Sequence, residues 1–143
     1  MNDLHYRKLE AMYLGAPINA FYRPTMKISH GVAVVEIEAT PQLHHAAKAV
    51  HGSALFKLLD DACFFAASSL VEDVFVFTVS FTTYFVRPVS EGRVSCRGQV
   101  VHSGKNLVLA EAVVLGPNGK EIARGSGSFM KSTIPLTAEI GYA

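Results

Sequence analysis

The chain has 143 residues, half of them hydrophobic and 17% charged, with thirteen basic residues against twelve acidic ones and a net charge of +1. That composition supports one domain with a core; it excludes a disordered chain and lacks the electrostatic footprint of a nucleic-acid binder. No stretch approaches the ~18 apolar residues of a membrane span, and the opening residues lack the apolar core of a signal peptide. The two cysteines, Cys63 and Cys96, make neither a disulfide framework nor a CxxC site. The reading is a single cytoplasmic domain over residues 1–143, with no nucleic-acid partner, no membrane partner and no cofactor.

Asn2 or Asp3 caps a short helix over 3–14, which Gly15 and Pro17 end. From Met26 to Thr40 the pattern is that of strands, broken by a turn at His30-Gly31. Pro41 to Val50 reads as a loop holding His44, His45 and Lys48. A central helix over about 52–70 follows, apolar around most of its circumference through Leu55, Phe56, Leu58, Leu59, Ala62, Cys63 and Ala66, and such a helix is buried. After Asp73 the period drops to two, which places Phe75, Phe77, Val79 and Phe81 on one strand face and Thr78, Ser80 and Thr82 on the other. Three more strands, Arg93–Val101, Asn106–Leu115 and Glu121–Met130, are joined by short glycine-bearing hairpins, and the tail over 132–143 reads as irregular. The order is α+β: a curved antiparallel sheet wrapped around one long helix is the economical way to cover it.

On a helical wheel at ~100° per residue, Lys57, Asp61 and Ser68 form a narrow polar stripe, and the i,i+4 spacing makes Asp61 a solvated carboxylate paired with Lys57. Asp60 falls elsewhere, at the margin of the apolar face beside Phe56, Phe64 and Ala67. Partial desolvation there would raise its pKa toward base or nucleophile work. His51-Gly52 opens the helix, where free backbone N–H groups and the helix dipole favour negative charge and glycine admits a ligand oxygen. That is the geometry of an oxyanion hole. Eight residues separate Gly52 from Asp60, a rise of ~12 Å, so the two serve one small substrate only if a second copy of the chain lies alongside. The spacing of His44, His45 and His51 matches no zinc pattern, so no metal site is read. Cys63 lies on the buried face as a packing residue. Gly125-Ser126-Gly127-Ser128 sits inside a strand pattern and is no nucleophile elbow. The hairpin Ser103-Gly104-Lys105 offers N–H groups and an ammonium to an anion.

His51-Gly52-Ser53 followed by Phe56, Leu58, Asp60 and Ala62 resembles the H-G-G-x-x-F-x-L-x-D-x-A signature of hotdog-fold thioesterases of the phenylacetic acid degradation (PaaI) type. The likeness continues through Phe85-Val86-Arg87-Pro88, Gly92-Arg93-Val94, Val101 to Lys105 and Gly119 to Phe129, so it covers roughly residues 25–131. It implies hydrolysis of acyl- or aroyl-coenzyme A at the interface of a dimer, commonly within a dimer of dimers. Asp60 would be the catalytic carboxylate, Gly52 the oxyanion donor, and Thr78 a hydroxyl that helps hold the attacking water. His51 would orient the loop. Ser53, Phe64, Arg87, Ser103, Gly104 and Lys105 would bind substrate, with the nucleotide end near Arg87 and Lys105. The chain departs from the pattern at Ser53 in place of the second glycine, at His45 in place of the usual Asn, and at Lys48 in place of a glycine. His45 could donate a hydrogen bond in the Asn's stead. The alternative is a non-catalytic acyl-CoA binder that keeps the fold; a hotdog dehydratase would need a paired His and carboxylate that the chain does not offer.

Overall fold

The computed structural model of the protein describes residues 2–143. Helix α1 (Asp3–Gly15) is capped by Asn2, whose Oδ1 accepts from the His5 N–H, and its buried side chains Tyr6, Leu9, Met12 and Tyr13 follow the helical period. A single turn of helix, α2 (Asn19–Tyr22), follows. Strands β1 (Thr25–Ser29) and β2 (Val32–Ala39) form a hairpin across His30-Gly31, with Gly31 at φ +70°. Helix α3 (Gly52–Ser68) runs next, then β3 (Val74–Phe85), β4 (Gly92–Ser103), β5 (Leu107–Leu115) and β6 (Glu121–Pro135). The six strands make one antiparallel sheet in the order β1-β2-β4-β5-β6-β3. It wraps α3, which is the α+β hotdog architecture that the resemblance implies.

Ten of the seventeen residues of α3 are buried, and they meet the inward side chains of the sheet: Ala33, Val35, Ile37, Val94, Cys96, Ala110, Ala112, Val114 and Phe129. The sheet closes tightly on the helix at one point. A Cβ on Gly98 of β4 would lie 2.5 Å from the backbone carbon and oxygen of Ala62, so only glycine lets the strand pass there.

Two sequence expectations change. The tail does not become irregular at Ser132: β6 continues to Pro135, because Lys131 and Pro135 pair with Val76 and Val74 of β3, and a 3-10 turn at Ala138–Ile140 follows. The faces of β3 also differ from a simple alternation. The β3–β6 ladder shifts register twice: between Val74 and Val76 the extra residues lie on β6, and between Thr78 and Ser80 one unpaired residue, Val79, is inserted in β3, a bulge that swaps the faces beyond it. Val76 is buried and Thr78 half-buried toward α3, while Phe77 and Val79 are exposed; Phe75 and Phe81 still pack inward.

Substituting Gly98→Ala forces a methyl into the Ala62 backbone, so it should cost about 2–3 kcal/mol as overpacking of a closed core. A fall in the urea midpoint with an unchanged slope is the expected result.

Candidate active site

Asp60 lies half-buried near the middle of α3, and Thr78 of β3 stands opposite it. The Thr78 Oγ1–H donates to Asp60 Oδ1 at 2.8 Å. Both residues line a cavity of about 790 Å³ whose walls include Phe64, Phe65 and Phe75, the α1–α2 segment and the C-terminal turn. Burial pushes the Asp60 carboxyl above its ordinary value; the Thr78 hydrogen bond opposes that shift, the Asp61 charge adds to it and the Lys57 charge opposes it. The result is a carboxylate with one oxygen held and one free, poised toward proton exchange.

Asp61 is not the solvated carboxylate that the wheel predicts. Its Oδ2 accepts from Lys57 Nζ at 2.6 Å and from the Tyr13 hydroxyl at 2.6 Å. Helix α1 packs over the polar stripe and makes it part of the cavity wall; Ser68, on the same stripe, is buried. Tyr13 keeps its proton, since burial first and the Asp61 carboxylate second raise its pKa. The thiol of Cys63 is pushed up to about 12, chiefly by burial, which fits packing and not nucleophilic attack.

Gly52 opens α3 at the far end. Its neighbours consume the other free donors: the Ser53 N–H bonds to His51 Nδ1 at 3.0 Å and the Ala54 N–H to the His51 carbonyl at 3.0 Å. The Gly52 N–H has no acceptor among the described residues. His51 is thus the N-cap, and a ring nitrogen that accepts from a backbone N–H carries no proton at that atom; the Ser53 hydroxyl, 2.8 Å away, donates to the same nitrogen.

His45 and Gly52 line a second cavity of about 410 Å³ with Phe85, Val86, Arg87 and Pro88. The exposed His45 ring accepts from the Ala47 N–H at 3.1 Å. Lys48, at the position of a family glycine, has φ +65°, a backbone region that glycine enters freely and a lysine does not. Arg87 is tethered, its Nη1 donating to the Glu121 carbonyl at 2.6 Å.

Ser103, Gly104 and Lys105 border a third cavity of about 290 Å³ with Leu70, Val71 and Val76, near the C-terminal end of α3. Within one chain, then, Asp60, Thr78 and Phe64 come together. Gly52, Ser53, His51, His45 and Arg87 cluster at the helix start, and Ser103–Lys105 at the helix end. Arg87 and Lys105 do not meet. Sequence reasoning missed Tyr13 as a cavity residue; the i,i+4 pair Lys57–Asp61 was visible, but not the helix that covers it.

A model of the Thioesterase superfamily matches residues 47–123, the span from the helix-start loop to β6. The E. coli PaaI protein of the phenylacetic acid degradation operon superposes with a TM-score of 0.86 at 23% identity, over 95% of this chain and 99% of that one. A thioesterase family protein from Silicibacter pomeroyi gives 0.82 at 26% identity, over 88% and 96% of the two chains. The protein Ta0293 of Thermoplasma acidophilum, which carries the name of an esterase, is 24% identical over 102 residues, 71% of this chain and 77% of that one.

A carboxyl that holds its proton to higher pH when folded than when unfolded makes stability fall as pH rises between those two values, and the loss is complete above both. Asp60→Asn should therefore raise the melting temperature at pH 7, with the advantage fading as pH falls toward the ordinary carboxyl value of 3.8. Thermal melts of both proteins across that range are the check.

Proposed function

This chain belongs to the thioesterase superfamily, and we propose that it hydrolyses acyl- or aroyl-coenzyme A, with Asp60 as the catalytic carboxylate at a site shared between two subunits. The observation that carries this reading is the half-buried Asp60, bonded by Thr78 through one oxygen and facing a large, largely apolar cavity. A carboxylate so placed is costly to the fold and useful to a thioester. The acyl group enters the cavity against Phe64 and Phe75. Asp60 acts on the thioester carbonyl, as general base toward water or as nucleophile, and Thr78 steadies it. The carbonyl oxygen, gaining charge, is met by a free N–H at the start of a helix, the group Gly52 offers.

The two halves lie in different cavities of one chain, and a dimer unites them. Strand β3 is the edge of the sheet beyond β6 and runs opposite to α3: Thr78 stands by Asp60, and the Phe85 ring stands by Gly52. Pairing two β3 edges about a two-fold axis reverses one against the other, which brings the Gly52 end of one subunit toward Asp60 of the second. It also carries Arg87 of one subunit toward the Ser103–Lys105 hairpin of the other, where together they suit the nucleotide end. Phe77 and Val79, exposed in the single chain, lie on the strand that pairs in that arrangement.

Free-thiol release from a panel of acyl- and aroyl-CoA substrates tests the activity. Asp60→Asn should lower kcat by at least ~100-fold, the usual size of a lost general base, in a protein that still folds. Thioester binding without thiol release by the wild type would replace the enzyme with a binding protein. Sedimentation should show no stable monomer at micromolar concentration; a monomer that still turned over substrate would remove the shared site and leave the oxyanion donor unassigned.

A further inference from the structure

Asp60 and Asp61 are adjacent carboxylates on the wall of one cavity, and a single lysine distinguishes them. Lys57 Nζ donates to Asp61 Oδ2 at 2.6 Å and sits over the rings of Tyr13 and Tyr22, 5.2 Å and 5.1 Å from their centroids. Its side chain is only 12% exposed, so this is a held ammonium and not a mobile surface charge. The Tyr13 hydroxyl donates to the same Asp61 oxygen. Asp61 therefore has two donors, one of them fully charged, whereas among the described residues Asp60 has only the neutral Thr78 hydroxyl. Lys57 also precedes Asp60 by three residues on α3, which makes the two side chains neighbours on the helix surface.

Building on the thioesterase reading, we propose that Lys57 is a positioning residue: pinned by Asp61 and two tyrosine rings, it holds Asp61 as a fixed counter-charge and leaves Asp60 as the carboxylate that exchanges protons. Without the ammonium, two neighbouring carboxylates would share a half-buried wall with no cation between them, and each would resist ionisation of the other. The groups that face Asp60 are Lys57, Asp61 and the neutral Cys63 thiol on α3, Thr78 from β3, and Tyr13 of α1 acting through Asp61. Glu139 of the C-terminal turn lines the same cavity. Lys57 is the one cation among them, and its charge favours the ionised form of Asp60 while burial and Asp61 oppose it.

The test compares wild type with Lys57→Gln, which keeps an N–H donor for Asp61 but loses the charge, and Lys57→Arg, which keeps the charge. Two quantities are read: the pH dependence of kcat/KM, and the titration of the ¹³C-labelled Asp60 carboxyl carbon followed by NMR and assigned with Asp60→Asn. Lys57→Gln should move both the acid limb of kcat/KM and the Asp60 midpoint upward by about one pH unit, a ~tenfold loss of activity below the limb. Lys57→Arg should leave both near the wild-type position. An Asp60 midpoint and acid limb unchanged in a folded Lys57→Gln protein would overturn the proposal and reduce the cluster to a clamp between α1 and α3. Lys57→Met serves as the second neutral variant should the glutamine side chain not be accommodated. The NMR titration needs no turnover, so a wild type that hydrolyses no thioester would remove the catalytic reading while the action of Lys57 on Asp60 is still measured.

Discussion

A helix that is apolar nearly all the way round has no stable place except inside something, and α3 is such a helix. Every other element answers that demand. The sheet must curve around it, and the curve must be tight enough for β4 to touch the Ala62 backbone at Gly98. Helix α1 and the C-terminal turn leave the large cavity between themselves and α3. The site is the seam in this enclosure: Asp60 sits where the apolar face of α3 ends and the wrapping is incomplete.

The two ends of the sheet are treated differently. Along β1, Arg7 donates to the Ile28 carbonyl at 2.7 Å, and the Ile28 N–H donates to Glu10 at 2.7 Å, so side chains of α1 occupy both backbone groups of Ile28 on that edge. Along β3 no such cover exists among the described residues, and Phe77 and Val79 stand exposed beside it. A strand edge of twelve residues left in that state is a pairing surface by construction. This asymmetry gives the proposed dimer its direction.

The hotdog architecture was legible because its signals are local and repeated: glycine hairpins, alternating strands, and one helix too apolar to face water. Asp60 and Thr78 were legible by their place in a known pattern, and the structure brings them within 2.8 Å. What escaped was whatever depends on packing between distant segments. The wheel shows Lys57 and Asp61 as an exposed pair, since a wheel does not contain α1; Tyr13, forty-eight residues from Asp61, turns that pair into a half-buried cluster. The register shifts between β3 and β6 escaped for a similar reason. They arise from the register that β6 imposes, and no alternation within β3 alone announces them. The extension of β6 past Ser132 is the same effect seen from the partner strand.

His5 joins three parts of the chain at one buried point. Its Nε2 meets the Ser68 carbonyl at 2.9 Å, which fixes that nitrogen as the donor, and its Nδ1 then accepts from the Tyr142 hydroxyl at 2.7 Å. The first helix, the last turn and the end of α3 are thereby fastened together across separations of 63 and 137 residues. Both outer walls of the Asp60 cavity belong to those fastened segments. The two walls are therefore tied to one point, and amide exchange in α1 and in the residues around Tyr142 is expected to report a single cooperative opening.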